Sequence, residues 1–288
     1  MEPSTLLAAD SAIPLWDDEP IEGAFQFDDA LNKPENAVVA SVERPWLFGY
    51  KPTSSSSSTS SQPRAILILG GGGYIELMAG REGVAVARWL TSLGFHAYVL
   101  VHRFPNAKIS PQAPLDDARR ALRLIAEKGF KTSICGLSSG GHLAASLLSH
   151  YPTIWTEKDA RPLPELEFAI VGYAPISTNA KGRTVVENKQ ALEPPEKQAF
   201  YDAVQPDVQL VDAMPPMFIV YAGNDPVVPV ANAWRLAEGV MRKGAKVELH
   251  IFGDAPHGFA LDTKGLPVTE WPGMCEKWLV QLGVLGSI

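Results

Sequence analysis

The stretch SICGLSSGGHLAASLL, residues 133–148, passes from a short apolar run into a helical pattern through Gly136-Leu137-Ser138-Ser139-Gly140. A serine hydroxyl is a weak nucleophile until a neighbouring base takes its proton. A turn sharp enough to hold that hydroxyl out at its tip leaves little room beside it for anything but glycine, and a following helix points its N-terminal N–H groups at developing negative charge. Ser138, in the middle of G-x-S-x-G, is the candidate nucleophile. Alone, the motif serves equally well as a glycine-rich packing turn, so other residues must decide.

Three further stretches bear on it. In LGGGGYIEL the glycines 70–73 follow an apolar run and free their backbone N–H groups for a ligand, as an oxyanion hole requires; Gly72, Gly73 and the N–H of Ser139 are the candidate donors. A phosphate loop is the rival, but no Gly-Lys-Ser/Thr follows and G-x-G-x-x-G with its downstream acid is not matched. In YAGNDPVVP, Asp225 sits in a turn after an apolar run, where an aspartate usually does only turn chemistry. In DAPHGF, His257 lies on a loop between proline and glycine, whereas His96, His102, His142, His150 and His250 lie in or beside strands and helices and read as structural or surface residues. Asp254 competes with Asp225 for the acid role, but Ala255 and Pro256 restrict how it could turn back onto the ring, so Asp225 is preferred. Ser138, Asp225 and His257 then follow one another in the chain order of a nucleophile, an acid and a base set on successive strand ends.

Elements with the right alternation exist to position them. Apolar runs at 65–69, 96–101, 132–135, 168–171, 217–221 and 247–252 have the length and β-branched content of buried strands. Helical stripes lie between and after them: Val86, Trp89, Leu90, Leu93; Leu115, Ala118, Leu122, Ile125; Val230, Ala233, Trp234, Ala237, Met241; and Trp271, Met274, Cys275, Trp278, Leu282. The alternation predicts an α/β fold in one domain, residues 1–288, with a mostly parallel sheet covered by helices on both faces. The runs 37–42 and 45–50 predict an N-terminal antiparallel hairpin at the sheet edge. The tract 53–62, TSSSSSTSSQ, reads as a flexible loop. The polar, proline-punctuated segment 174–213 reads as a small lid or insertion containing a short helix in EPPEKQAFYDAV.

With these motifs in order the chain resembles the α/β-hydrolase superfamily, and in detail the acetyl-xylan-esterase-like branch near the hormone-sensitive-lipase-type esterases. The resemblance runs from IPLWDDEPIEGA through GGGGY and GLSSGGHLA to DPVVPV and VELHIFGDAPHGF. It implies the α/β-hydrolase fold and a serine esterase in which His257 activates Ser138 and Asp225 orients His257. Tyr74, Leu137 and His142 are then candidate walls of the substrate pocket, and no metal or organic cofactor is implied. The sequence departs from the pattern at Gly70, where lipase-type relatives often carry histidine, and at Ser139, where alanine is common.

Composition narrows the partners. A net charge of −7 with no long basic run repels phosphate backbones and anionic bilayers, so neither nucleic acid nor a membrane is expected. No apolar run reaches the ~20 residues of a bilayer span, and the N-terminus lacks a basic leader, which together predict a soluble, cytoplasmic protein. Cys135 and Cys275 have no framework spacing and read as buried thiols in a strand and a helix. The expected partner is a small-molecule ester carrying a short acyl group; the sequence leaves the oligomeric state open. Lactonase, thioesterase or amidase chemistry, a dehydratase or cyclase on the same residues, and a non-catalytic binding protein are the alternatives.

Overall fold

The computed structural model describes residues 3–16, 25–27, 33–53, 62–155, 161–183 and 185–286. The chain enters through four short strands, β1 (Ser11–Pro14), β2 (Phe25–Phe27), β3 (Val39–Val42) and β4 (Trp46–Tyr50). Six longer ones follow: β5 (Arg64–Leu69), β6 (His96–Val101), β7 (Lys131–Leu137), β8 (Leu166–Gly172), β9 (Met217–Ala222) and β10 (Val247–Phe252). The main sheet has the order β1-β4-β6-β5-β7-β8-β9-β10. Strands β5 to β10 pair in parallel, and β4 lies antiparallel to both β6 and β1. The six expected strands are all present: in β5 to β9 runs of Ile, Leu, Val and Ala bury both faces of a strand at once, whereas β10, at the sheet edge, is half-buried throughout.

The N-terminal antiparallel edge is present, with a different partner. Run 45–50 forms β4 and pairs with β1, whereas run 37–42 contributes β3 to a separate two-stranded sheet with β2. Val39 and Val42 are buried there while the residues between them are exposed, so β3 has one covered face and does not need the main sheet. Residues 54–61 of the serine tract lie outside the described residues.

Helices α1 (Ala85–Ser92), α2 (Ala113–Glu127), α3 (Ser139–Leu147), α4 (Pro195–Ala203), α5 (Pro206–Gln209), α6 (Ala231–Arg242) and α7 (Trp271–Gln281) complete the layers. On one face α1 meets α7 through the Trp89 and Trp271 rings, 5.2 Å apart, and Trp271 also packs on Phe218 of β9. On the other, α3 packs on α2 and α5 on α6. Cys135 and Cys275 are buried free thiols in β7 and α7. The α6 stripe needs correction: the buried apolar side chains are those of Ala233, Leu236, Ala237 and Val240, while Trp234 and Met241 are each 56% exposed. The hydrophobic residues on this helix cover a wider arc than its contact with the sheet, and Trp234 and Met241 fall on the outer margin. No helix among the described residues is long and apolar enough to cross a membrane.

At the carboxyl edge of the sheet, β5 sends its chain to β6 on one side while β7 lies on the other. Such a switch in strand order opens a crevice above the strand ends. The turn after β5 and the turn after β7, which carry Gly70–Gly73 and Ser138, both border it.

Trp271 and Trp234 provide a direct contrast. Trp271 is fully buried and its Nε1–H donates to the Ala260 carbonyl at 2.7 Å, so Trp271→Ala should cost about 3–5 kcal/mol of stability. Trp234→Ala should cost under ~1 kcal/mol. Urea unfolding of the two variants checks this; equal losses would contradict the placement of both residues.

Candidate active site

Strand β7 ends in a turn where Ser138 takes φ +52° and ψ −126°, a backbone conformation unfavourable for a residue with a side chain. The neighbours enforce it. Ser138 N–H donates to the Gly172 carbonyl at 2.9 Å, and its carbonyl accepts from Gly141 N–H at 2.9 Å as α3 begins. A Cβ on Gly140 would fall on the Leu69 carbonyl, so this turn tolerates no side chain at that position. The serine hydroxyl therefore projects from the strand end while α3 starts beneath it.

Asp225 and His257 arrive from the ends of β9 and β10. Ser138 Oγ lies 3.0 Å from His257 Nε2, and His257 Nδ1 lies 2.7 Å from Asp225 Oδ2. The Asp225 side chain is fully enclosed, and its Oδ1 accepts the N–H groups of Val227 and Val228, both at 2.8 Å. With its carboxylate fixed this way, Asp225 favours the tautomer with hydrogen on Nδ1 and leaves Nε2 free to accept from Ser138. Asp254 is held elsewhere, accepting from the Asn224 amide at 2.6 Å. Of the two rival acids, Asp225 is the one that faces the imidazole.

The donors around Ser138 are partly engaged. Gly73 N–H donates to Ser139 Oγ at 2.9 Å, which corrects the expectation that it is free to meet an oxyanion. Gly72 has φ +128°, and a Cβ there would clash with the Glu76 carbonyl, so the turn depends on glycine at this position. The N–H of Ser139 is the first of α3 and has no acceptor within the helix. Gly72 and Ser139 thus remain the candidate donors for an oxyanion.

Tyr74, Leu137 and His142, expected as pocket walls, are 1%, 0% and 0% exposed and form support behind the site. Burial lowers His142 to about 4 and keeps its ring neutral. Its Nε2 lies 3.2 Å from the Val204 carbonyl and its Nδ1 3.0 Å from the Tyr74 hydroxyl, which donates to the Ser139 carbonyl at 3.0 Å. Leu137 is the last residue of β7, flanked by β5 and β8. Their apolar and aromatic character suggested a pocket, but the same character serves the core.

Two further residues of the site, Glu82 and Lys197, lie outside the sequence motifs. Glu82, in a π-helical turn at Ala79–Val84, is 3% exposed, and its Oε2 accepts Gly71 N–H at 2.6 Å. Lys197 on α4 reaches the Gly-rich turn, its Nζ lying 3.7 Å from where a Gly73 Cβ would be. Burial, and secondarily Lys189, lowers its affinity for a proton.

Comparison with known proteins bears on the family and the fold. A family model described as alpha/beta hydrolase fold matches residues 71–261. A solved acetyl ester-xyloside bifunctional hydrolase from Caldicellulosiruptor lactoaceticus is 28% identical, with a TM-score of 0.67 over 96% of this chain and 97% of that one. A carboxylesterase from Lactobacillus plantarum, 19% identical, has a TM-score of 0.68 over 92% of this chain and 98% of its own, a likeness of fold. Endo-1,4-beta-xylanase B of Butyrivibrio fibrisolvens is 27% identical over 207 residues, 66% of this chain; the match spans about a third of that relative, 32% of its length.

The choice between the two acids can be measured. Asp225→Asn should reduce kcat on p-nitrophenyl acetate by orders of magnitude, toward the ~10⁴-fold known for the equivalent serine-protease change, with KM little altered. Asp254→Asn should cost less than about tenfold. A larger loss from Asp254→Asn, with both variants folded, would transfer the role.

Proposed function

This chain belongs to the alpha/beta hydrolase fold family, and from that premise we infer that it is a serine-dependent carboxylic ester hydrolase acting on short acyl esters, acetyl above all, of a small alcohol or sugar. The observation that carries the reading is the hydrogen-bonded series from Ser138 Oγ through the His257 ring to the enclosed Asp225 carboxylate, held at the tip of a strained turn.

Ser138 Oγ attacks the ester carbonyl as its proton passes to His257 Nε2, and the imidazolium is stabilised by Asp225. The tetrahedral oxyanion accepts from the N–H groups of Gly72 and Ser139, donors that are already in place and need no reorganisation when charge develops. His257 then protonates the leaving alcohol, leaving an acyl group on Ser138. A water molecule, deprotonated by His257, attacks that acyl carbonyl; the carboxylic acid departs and Ser138 recovers its proton.

Two features support a short acyl group and a polar alcohol. The aromatic residues of α4 in the 174–213 segment are used internally: Phe200 and Tyr201 are buried, as is Val204, with the Phe200 and Tyr201 rings 5.2 and 5.6 Å from that of Tyr74. Toward the Gly-rich turn, α4 instead presents the Lys197 ammonium. An extended acyl chain gains ~0.8 kcal/mol for each methylene it buries, and a cation forfeits that gain while serving a hydroxyl-rich partner as a donor. The solved 28%-identical relative is an acetyl ester-xyloside hydrolase, which points the same way.

Profiling p-nitrophenyl esters from acetate to dodecanoate tests the reading. The value of kcat/KM should peak at roughly two to four acyl carbons and fall at least about tenfold by octanoate, as lost burial of several methylenes requires. Acetylated xylo-oligosaccharides should release acetate. Rates that climb steadily to dodecanoate would contradict the short-acyl assignment.

A further inference from the structure

Glu82 is a buried ionisable group beside Ser138 and His257 that the reaction leaves unused. Both of its carboxylate oxygens are engaged by parts of the active centre that are remote from each other in sequence. Oε2 accepts Gly71 N–H at 2.6 Å, and Oε1 accepts the Tyr173 hydroxyl at 2.9 Å. Tyr173 follows the end of β8, and its hydroxyl oxygen in turn accepts the N–H of Ala260 at 3.3 Å, on the loop that carries His257. The Tyr173 ring stands edge-on to the His257 ring at 5.4 Å and to Phe259 at 4.5 Å. One carboxylate thus joins the turn after β5, the end of β8 and the loop after β10.

The fit around it is close. A Cβ on Gly71 would lie 2.6 Å from both Glu82 Oε2 and Ser138 Cβ, so Gly71 is held between the carboxylate and the serine. With Gly71 N–H directed at Glu82 and Gly73 N–H directed at Ser139 Oγ, the N–H between them, on Gly72, is the one left for the oxyanion.

Resting on the esterase reading above, we propose that Glu82 is a positioning residue: its carboxylate fastens the oxyanion turn to the His257 loop and places a fixed negative charge facing the imidazole. A carboxylate taken out of water is costly unless it is paired, and burial raises the proton affinity of Glu82. The groups facing it work against that rise: Gly71 N–H, the Tyr173 hydroxyl, His257 and Arg81 each favour the anion. Arg81 is itself held by Asp262 on the His257 loop at 2.7–2.9 Å. The remaining titratable neighbour is the buried Cys135 thiol, pushed up to about 12 by burial and, secondarily, by Glu82. During turnover His257 becomes cationic, and a buried anion facing it favours that state.

Glu82→Gln keeps the shape and an acceptor for Gly71 N–H but removes the charge. It should retain a cooperative thermal transition, lower kcat on p-nitrophenyl acetate by about 10- to 100-fold, and leave KM within about threefold. The acid limb of its kcat/KM profile, measured from pH 4 to 9, should move to lower pH because the imidazolium has lost a stabilising neighbour. A role confined to packing would not move that limb. Tyr173→Phe keeps the ring against His257 and removes both hydroxyl bonds, so it reads the same link independently; kcat should fall about 3- to 10-fold at unchanged KM. If Glu82→Gln is folded with wild-type kcat and an unmoved acid limb, the proposal is overturned. Should Glu82→Gln fail to fold, a folded Tyr173→Phe with wild-type kcat overturns it equally. Ser138→Ala, assayed in parallel, separates the two readings: activity surviving in it defeats the esterase mechanism, while its loss alongside a wild-type Glu82→Gln defeats only the role of Glu82.

Discussion

The positive φ of Ser138 is the constraint around which this molecule is arranged. Such a conformation costs on the order of 1–3 kcal/mol for a residue with a side chain and persists only where the surroundings over-determine it. Here they do. The Ser138 N–H is tied to Gly172 at the end of β8, α3 begins on the Ser138 carbonyl, and Gly140 packs against the carbonyls of Leu69 and Gly70 at the end of β5. Relaxing the serine would require moving the ends of β5, β7 and β8 in the middle of the parallel sheet, where most strand residues are buried. Well-packed interiors resist such movement. The hydroxyl is consequently oriented by the core, and the loops that meet it are oriented by hydrogen bonds.

Those hydrogen bonds divide the backbone donors of the Gly-rich turn. Glu82 takes Gly71 N–H, Ser139 Oγ takes Gly73 N–H, and α4 braces the turn from outside through Phe200 and Tyr201 against Tyr74. Beneath them a neutral His142 lies between the Val204 carbonyl and the Tyr74 hydroxyl. Donors aimed in advance at the position of a developing charge are effective because they need not reorient when it forms. The same economy governs His257, whose tautomer is set by an aspartate that backbone N–H groups already hold.

Much of this was legible in the sequence because the signals were local and periodic. The parallel strands announced themselves as short β-branched runs, and Ser138, Asp225 and His257 each followed one of them in a glycine- or proline-marked turn. What escaped had no local signature. Glu82 lies in AGREGVAVARWL, where an acid among small residues at the start of a helix resembles a solvated face. The π-helical turn at Ala79–Val84 changes the register, and Glu82 is buried; that inward rotation follows from tertiary packing, which a 3.6-residue period does not anticipate. The same limit explains Trp234, whose period suited a buried stripe that the sheet does not cover, and β3, whose pairing with β2 depended on a three-residue strand too short to read. The aromatic and apolar residues Tyr74, Leu137 and His142 were recognised as close to the chemistry, but whether such residues face a substrate or a core depends on depth, which no motif records.

The central claim, that this architecture exists to make Ser138 a nucleophile, is tested most directly by the site of covalent attack. A fluorophosphonate probe reacts with a serine whose proton is being withdrawn and leaves a stable phosphonyl ester on its oxygen. Intact mass followed by peptide mapping should find one adduct per chain, on Ser138, and no adduct in Ser138→Ala. An adduct on Ser139, or a Ser138→Ala protein that is still labelled and still turns over esters, would contradict the account.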